Sequence, residues 1–150
     1  MFMMQTRRRF LASLLAIGAM ALAPLQLLAR NKGAFEAEEA NATLQALVGD
    51  KPLVSSTDIM LKVPDIAENG AVVPVTVTTT IEDVQRISLI VDENPNPLSA
   101  SFRFLPGSVA DISTRLKMGA SSDVRAIVET QTTAFYTTKN VKVTIGGCGG

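Results

Sequence analysis

Val73-Pro74-Val75-Thr76-Val77-Thr78 decides the fold. Three valines occupy every second position, and two threonines and a proline fill the places between. A strict period of two puts one set of side chains on one face of an extended strand and the other set on the opposite face. Valine and threonine suit that pleated surface. Pro74 has no N–H to give to a ladder, so it predicts an edge or a bulge at that point. The same period recurs along the chain in Ile59, Leu61 and Val63, in Ile87, Leu89 and Val91, and in Phe102 and Phe104 around Arg103. It continues in Ile112, Thr114 and Leu116 and in Val124, Ala126 and Val128. Phe135 to Thr138 reads as a short strand, and Val141, Val143 and Ile145 close the series. Turn chemistry separates these runs at Glu68-Asn69-Gly70, Asn94-Pro95-Asn96-Pro97, Pro106-Gly107, Gly119 and Lys139-Asn140. Seven or eight short strands so spaced predict a mainly β protein, an immunoglobulin-like antiparallel β-sandwich. A single N-terminal helix is expected over Phe35–Val48, with Ala40, Leu44, Leu47 and Val48 on its buried face. Glu36, Glu38 and Glu39 would lie in its first turn and Gly49 at its C-terminal cap.

Composition narrows the chemistry. The 150 residues contain no His and no Trp, one Tyr and one Cys. The commonest general base and metal ligand is therefore missing, and an internal disulfide or a cysteine-cluster metal site is excluded. Fourteen basic residues balance fourteen acidic ones, with no basic patch interleaved with aromatics, so nucleic acid is not an expected partner.

Charge is unevenly placed. Arg7, Arg8 and Arg9 precede a charge-free apolar stretch from Leu11 to Leu28, and the first acidic residue is Glu36. A basic start followed by an apolar run reads as an export signal, here residues 1–29; Ala21-Leu22-Ala23 has the small-x-small form of a cleavage site but would leave Pro24 at the new terminus, and cleavage after Ala29 is the preferred alternative. The stretch is at the lower limit for a membrane span and contains Gly18 and Pro24, so a stable membrane anchor is not expected. Thr6, Arg7, Arg8, Phe10 and Leu11 resemble the twin-arginine signal and imply export to the periplasm. The remaining domain, 30–145, carries a mild negative charge.

The chain closes with Gly146-Gly147-Cys148-Gly149-Gly150. Four glycines impose almost no backbone preference and add no side-chain bulk. Residues 146–150 thus form a thin, flexible arm. Three residues beyond Ile145, Cys148 stands off the last strand by about 10 Å at full extension. An activated thiol has a His, Lys or Arg, a helix N-terminus or a metal beside it, and the tail supplies none. No catalytic residue and no metal ligand is assigned. Cys148 reads as an attachment point whose chemistry is supplied by other proteins. An intermolecular disulfide through Cys148 remains open, as does an exported β-sandwich assembly or adhesion module with a non-functional terminal cysteine.

These residues resemble the SoxY family, the sulfur-carrier subunits of the periplasmic thiosulfate-oxidising Sox system. The likeness covers the whole mature chain and is carried by Glu68 to Val75, Asn94 to Leu98, Ser113 to Met118 and Val141 to Gly150, with the Gly-Gly-Cys-Gly-Gly ending as its specific element. The resemblance implies that Cys148 carries covalent sulfur adducts, a thiosulfonate and then a persulfide, and that Gly146, Gly147, Gly149 and Gly150 form a swinging arm. It implies no bound cofactor and a heterodimer with a small β-rich subunit of the SoxZ type. Its further implied partners are a c-type cytochrome, a dimanganese hydrolase and a molybdenum–haem enzyme. Arg115, Lys117 and the Asn94–Pro97 turn are candidate partner contacts, with solvated strand face or tight turn as the simpler account.

Overall fold

The computed structural model describes residues 31–144. Two helices lead, α1 (Lys32–Glu36) and α2 (Ala40–Val48), followed by β1 (Leu53–Ser55), β2 (Ile59–Lys62) and β3 (Ile66–Ala67). A 3₁₀ turn, Gly70–Val72, enters β4 (Val73–Thr79), and β5 (Arg86–Val91), β6 (Leu98–Arg103), β7 (Asp111–Leu116), β8 (Ser122–Glu129) and β9 (Ala134–Val143) complete the described residues.

The expected β-sandwich is observed. One sheet runs β1-β9-β8-β5-β6, with β3 added beside β9, and the other runs β2-β4-β7. Neighbours are antiparallel except β1 and β3, which both pair with β9 in parallel. The alternating valines point inward: Val73, Val75 and Val77 meet Ile87, Leu89, Val91, Val124, Ala126 and Val128 between the sheets. Pro74 lies opposite Arg115 of β7. Pairing with β2 stops at Lys62↔Thr76, so no β2 residue faces Pro74 on its other side and its missing N–H costs nothing there.

Three local expectations are corrected. The single helix over Phe35–Val48 is two helices broken at Ala37, which is extended (ψ 136°). The break lets Ala34 of α1 and Leu47 and Val48 of α2 reach one apolar cluster with Ile90, Leu98, Ile127 and Ala134 on the outer face of the large sheet. Asn31 holds the pair together: its Oδ1 accepts from Ala34 N at 3.2 Å and its Nδ2 donates to Ala46 O at 2.7 Å. The acidic first turn is also absent. Glu36 ends α1 in an exposed pair with Lys32, and Glu39 is the N-cap of α2 without a side-chain hydrogen bond. Gly49 does cap α2, with φ at +61°.

The third correction concerns Lys139-Asn140. Instead of a turn, these residues continue β9, a ten-residue strand. Both neighbours hold them in register. On one side Lys139 faces Val124 and Asn140 faces Asp123, with Asn140 Nδ2 donating to Asp123 Oδ1 at 2.8 Å. Toward the other side Lys139 Nζ reaches Asp65 at 3.0 Å and donates to Val63 O at 3.1 Å. Tertiary partners override the local turn preference of the pair.

Candidate functional site

The export-signal residues Arg7, Arg8, Phe10 and Leu11, the thiol Cys148, and Gly146, Gly147, Gly149 and Gly150 all lie outside the described residues. What the structure describes is the place from which residues 145–150 depart: the end of β9.

That end is held on both sides. On the β3 side, Lys142 N donates to Asp65 O and Thr144 N donates to Ala67 O, each at 3.0 Å. On the β8 side, strand pairing stops at Ser122↔Val141, and the Ser121 side chain supplies the next rung. Its Oγ accepts from Val143 N at 2.9 Å and lies 3.4 Å from Val143 O, to which it donates. A hydroxyl is both donor and acceptor, so one serine satisfies both backbone groups of Val143. Thr144 is consequently the last residue shown with a backbone anchor, one beyond β9.

Gly70 explains the Asn69-Gly70 signal. Asn69 Oδ1 accepts from Ala71 N at 2.9 Å, starting the 3₁₀ turn. Met118 N donates to Gly70 O at 2.6 Å. A Cβ on Gly70 would run into the Met118 carbonyl oxygen and come within 2.9 Å of Val143 Cγ1. Glycine is required here by close approach of backbone to backbone, and the contact packs the Gly70 turn directly onto the end of β9. The Asn94 turn belongs to the same support: Asn94 Nδ2 donates to Lys117 O at 2.8 Å and its Oδ1 accepts from Gly119 N at 3.1 Å. Asn94 thus has a structural task, while Arg115 and Lys117 are exposed.

Two charged arrangements lie elsewhere on the large sheet. Arg125 Nε donates to both carboxylate oxygens of Asp92, at 2.9 and 3.0 Å. The Asp92 hydrogen bond, opposed by partial burial and aided by the negative charge of Asp92 and Asp123, holds the guanidinium above its ordinary value. At the opposite end of the sandwich, Glu129 is buried, its side chain 5% exposed, between Lys51 Nζ at 3.4 Å and Arg86 NH1 at 3.6 Å. These residues line an open groove of about 1240 Å³ with Arg103, Leu105 and Val109. Among the described residues no group of three or more His, Cys, Asp and Glu could hold a metal ion, and no helix is long and apolar enough to cross a membrane.

Sequence reasoning did not find Ser121, Ala67 or Asp65 as the clamp on β9. A lone serine after Gly119-Ala120 reads as loop, and its strand-like role exists only once β9 is paired beside it.

The profile described as "Sulfur oxidation protein SoxY" matches residues 44–148, a span that covers most of the chain and includes Cys148. The chain belongs to the SoxY family. A solved structure titled as the sulfur carrier protein SoxY from Chlorobium limicola f thiosulfatophilum is similar to it, with 37% sequence identity and a TM-score of 0.65. The match covers 70% of this chain and 96% of that one. No curated protein matches the chain. Membership in the SoxY family makes this a sulfur oxidation protein.

Proposed function

We propose that the protein is a non-catalytic, covalent sulfur carrier in thiosulfate oxidation, with Cys148 as the attachment point and residues 146–150 as the arm that presents it. The observation that carries the reading is that the family match runs to Cys148 itself, the single cysteine of the chain, placed four residues beyond the clamped Thr144.

The chemistry asks little of the carrier. In the first step the Cys148 thiolate joins the sulfane sulfur of thiosulfate. An S–S bond forms, two electrons leave to a c-type cytochrome, and the product is a Cys–S–S–sulfonate. In the second step a dimanganese hydrolase adds water at the sulfonate sulfur. The S–S bond to the sulfonate breaks, sulfate and two protons are released, and a persulfide anion stays on Cys148. A molybdenum–haem enzyme oxidises that sulfur where it is present. Neither step requires a base on the carrier. Both require that one thiol reach several active sites without leaving the protein, which tethering achieves by keeping the intermediate at high effective concentration.

Export by the twin-arginine route through Arg7, Arg8, Phe10 and Leu11, residence in the periplasm, and pairing with a small β-rich subunit of the SoxZ type belong to the same proposal. The test is intact-mass spectrometry of protein from thiosulfate-grown cells, comparing the parent with Cys148→Ser. Sulfur and thiosulfonate adducts confined to Cys148 are expected, with unchanged thermal unfolding in the variant. An unmodified Cys148, with no growth defect for the variant, would instead favour an assembly or adhesion module.

A further inference from the structure

Arg103, Arg86, Glu129 and Ala134 stand opposite one another on β6, β5, β8 and β9. Residues directly opposite in a sheet share a face, with Cβ atoms about 5 Å apart. The row therefore sets two arginines side by side on the outer face of the large sheet, and like charges so placed repel. Glu129 is the carboxylate beside them, and Lys51 shares it. Three cations thus meet one buried anion. The hydrogen bonds leave the same surplus. Lys51 Nζ is taken up by Glu129 Oε2 and by the Thr130 carbonyl oxygen. Glu129 Oε1 has no hydrogen-bond partner, with Arg86 NH1 standing 3.6 Å away. Among the described residues the guanidinium of Arg86, only 24% exposed, makes no hydrogen bond, and that of Arg103 makes neither a hydrogen bond nor an ion pair. Partly buried donors in such number call for an acceptor.

We propose that Arg86 and Arg103 bind a tetrahedral dianion of the sulfate class in the groove they line. Two negative charges complete the balance that Glu129 leaves against Lys51, Arg86 and Arg103. A tetrahedral anion also has separate oxygens for two guanidinium forks coming from neighbouring strands, and each fork can donate two parallel hydrogen bonds. A planar carboxylate offers two oxygens in all, as Glu129 already does to Lys51 and Arg86. Glu82 and Asp83 line the groove too. They are exposed in the connection from β4 to β5 and form no ion pair among the described residues, so salt screens their repulsion of an incoming anion.

The choice of anion rests on the carrier reading above: the thiosulfate taken up and the sulfate released are both tetrahedral dianions. The place of the site excludes a direct part in the reaction. Its row ends at Ala134, the first residue of β9, about 30 Å along the strand from Val143. The four residues beyond Thr144 reach at most about 14 Å. An anion held here is therefore an effector and not the one that joins Cys148. Its binding would tie the last residue of β6 to β5, just before the exposed segment Leu105–Val109.

The experiment titrates the purified, nitrogen-15-labelled mature protein with sodium sulfate at neutral pH, sodium chloride holding the ionic strength constant. Saturable shifts of the Arg86 and Arg103 Nε–H signals are expected, with a millimolar Kd. Arg103→Gln, which has no hydrogen bond or ion pair to lose within the domain, should weaken binding about tenfold or more, as loss of a charged hydrogen bond does. Glu82→Gln/Asp83→Asn should tighten it, and Arg115→Gln, on the other sheet, should leave it unchanged. Thiosulfate and phosphate titrations distinguish the source: a sulfur oxyanion bound more tightly than phosphate supports the assignment, and phosphate bound more tightly would overturn it. Shifts that rise without saturating, a Kd indifferent to Arg103→Gln, or acetate bound as tightly as sulfate would overturn the site itself. Failure of the carrier reading shows elsewhere, as an unmodified Cys148 in the intact-mass test, and would leave the sulfate titration as it is.

Discussion

Gly70→Ala should destabilise the domain through a clash at one place. The new Cβ meets the Met118 carbonyl oxygen, a backbone atom, and lies 2.9 Å from Val143 Cγ1. Val143 can rotate, but the Met118 carbonyl cannot withdraw without stretching the 2.6 Å bond from Met118 N to Gly70 O. Overpacking of this kind costs about 1–3 kcal/mol. The alanine's smaller unfolded-state entropy returns about 0.5 kcal/mol of that, so the net loss is about 0.5–2.5 kcal/mol. For a domain near 115 residues each kcal/mol moves Tm by about 4 °C, giving a fall of about 2–10 °C. Urea unfolding followed by circular dichroism measures the change directly. Gly33→Ala is the matched control. Its Cβ would meet only Asn31 Oδ1 at 3.9 Å, and Gly33 lies inside α1, where alanine is favoured by up to about 1 kcal/mol. A Gly70→Ala protein as stable as the parent would refute the claim that the turn is pressed against β9.

Three further outcomes are expected. Ser121→Ala should leave Tm within about 2 °C but raise the hydrogen-exchange rate of the Val143 amide severalfold, because that N–H loses its acceptor; unchanged exchange would mean the rung is not formed in solution. Glu129→Ala should cost about 2–4 kcal/mol by urea titration, since Lys51 and Arg86 are left partly buried without their shared carboxylate, and a loss under 1 kcal/mol would count against that pairing. Gly147→Val combined with Gly149→Val should keep Cys148 titratable by a small thiol reagent yet slow sulfate release by the purified hydrolase about tenfold or more, and equal turnover would rule out a narrow channel.

The sandwich was legible because its inward face is written as a period of two in Val73–Val77, Ile87–Val91 and Val124–Val128, and burial follows that period. The same rule fails on the outer face of the large sheet. Ile90 and Ile127 break the alternation and are buried all the same, because α1 and α2 cover them. A strand buried on both faces loses its period, so the helices' docking site was hidden in the strands they cover. The broken helix escaped notice for a related reason. Residues 37–39 carry no glycine or proline, and the break is imposed by two short helices each finding the sheet. At the end of the chain, Cys148 and its glycines lie outside the described residues, so their reading rests on residue type alone. The clamp of Asp65, Ala67 and Ser121 is not legible in the sequence, because the first two act through backbone-to-backbone bonds and the third is an ordinary loop serine.

The position of the clamp bears on how strongly the charges of the domain act at Cys148. Charges in 0.15 M salt act over about 8 Å before counter-ions screen them. Four residues beyond Thr144 carry the Cys148 Cα up to about 14 Å from the last anchored residue when extended. The exposed charges of the domain near that anchor, Lys142, Lys117 and Glu68, would therefore exert little pull on an extended thiol or on the sulfonate proposed to be carried there. A shorter arm would place the sulfur under the domain's own field, and each partner would then have to work against a fixed bias toward one adduct. A much longer one would lower the effective concentration of the thiol at a partner bound to the domain. Four residues are long enough to escape the first effect and short enough to limit the second. The clamp matters because it sets that number: fraying the Ser121 rung and the Ala67 bond would lengthen the free segment and loosen both constraints together.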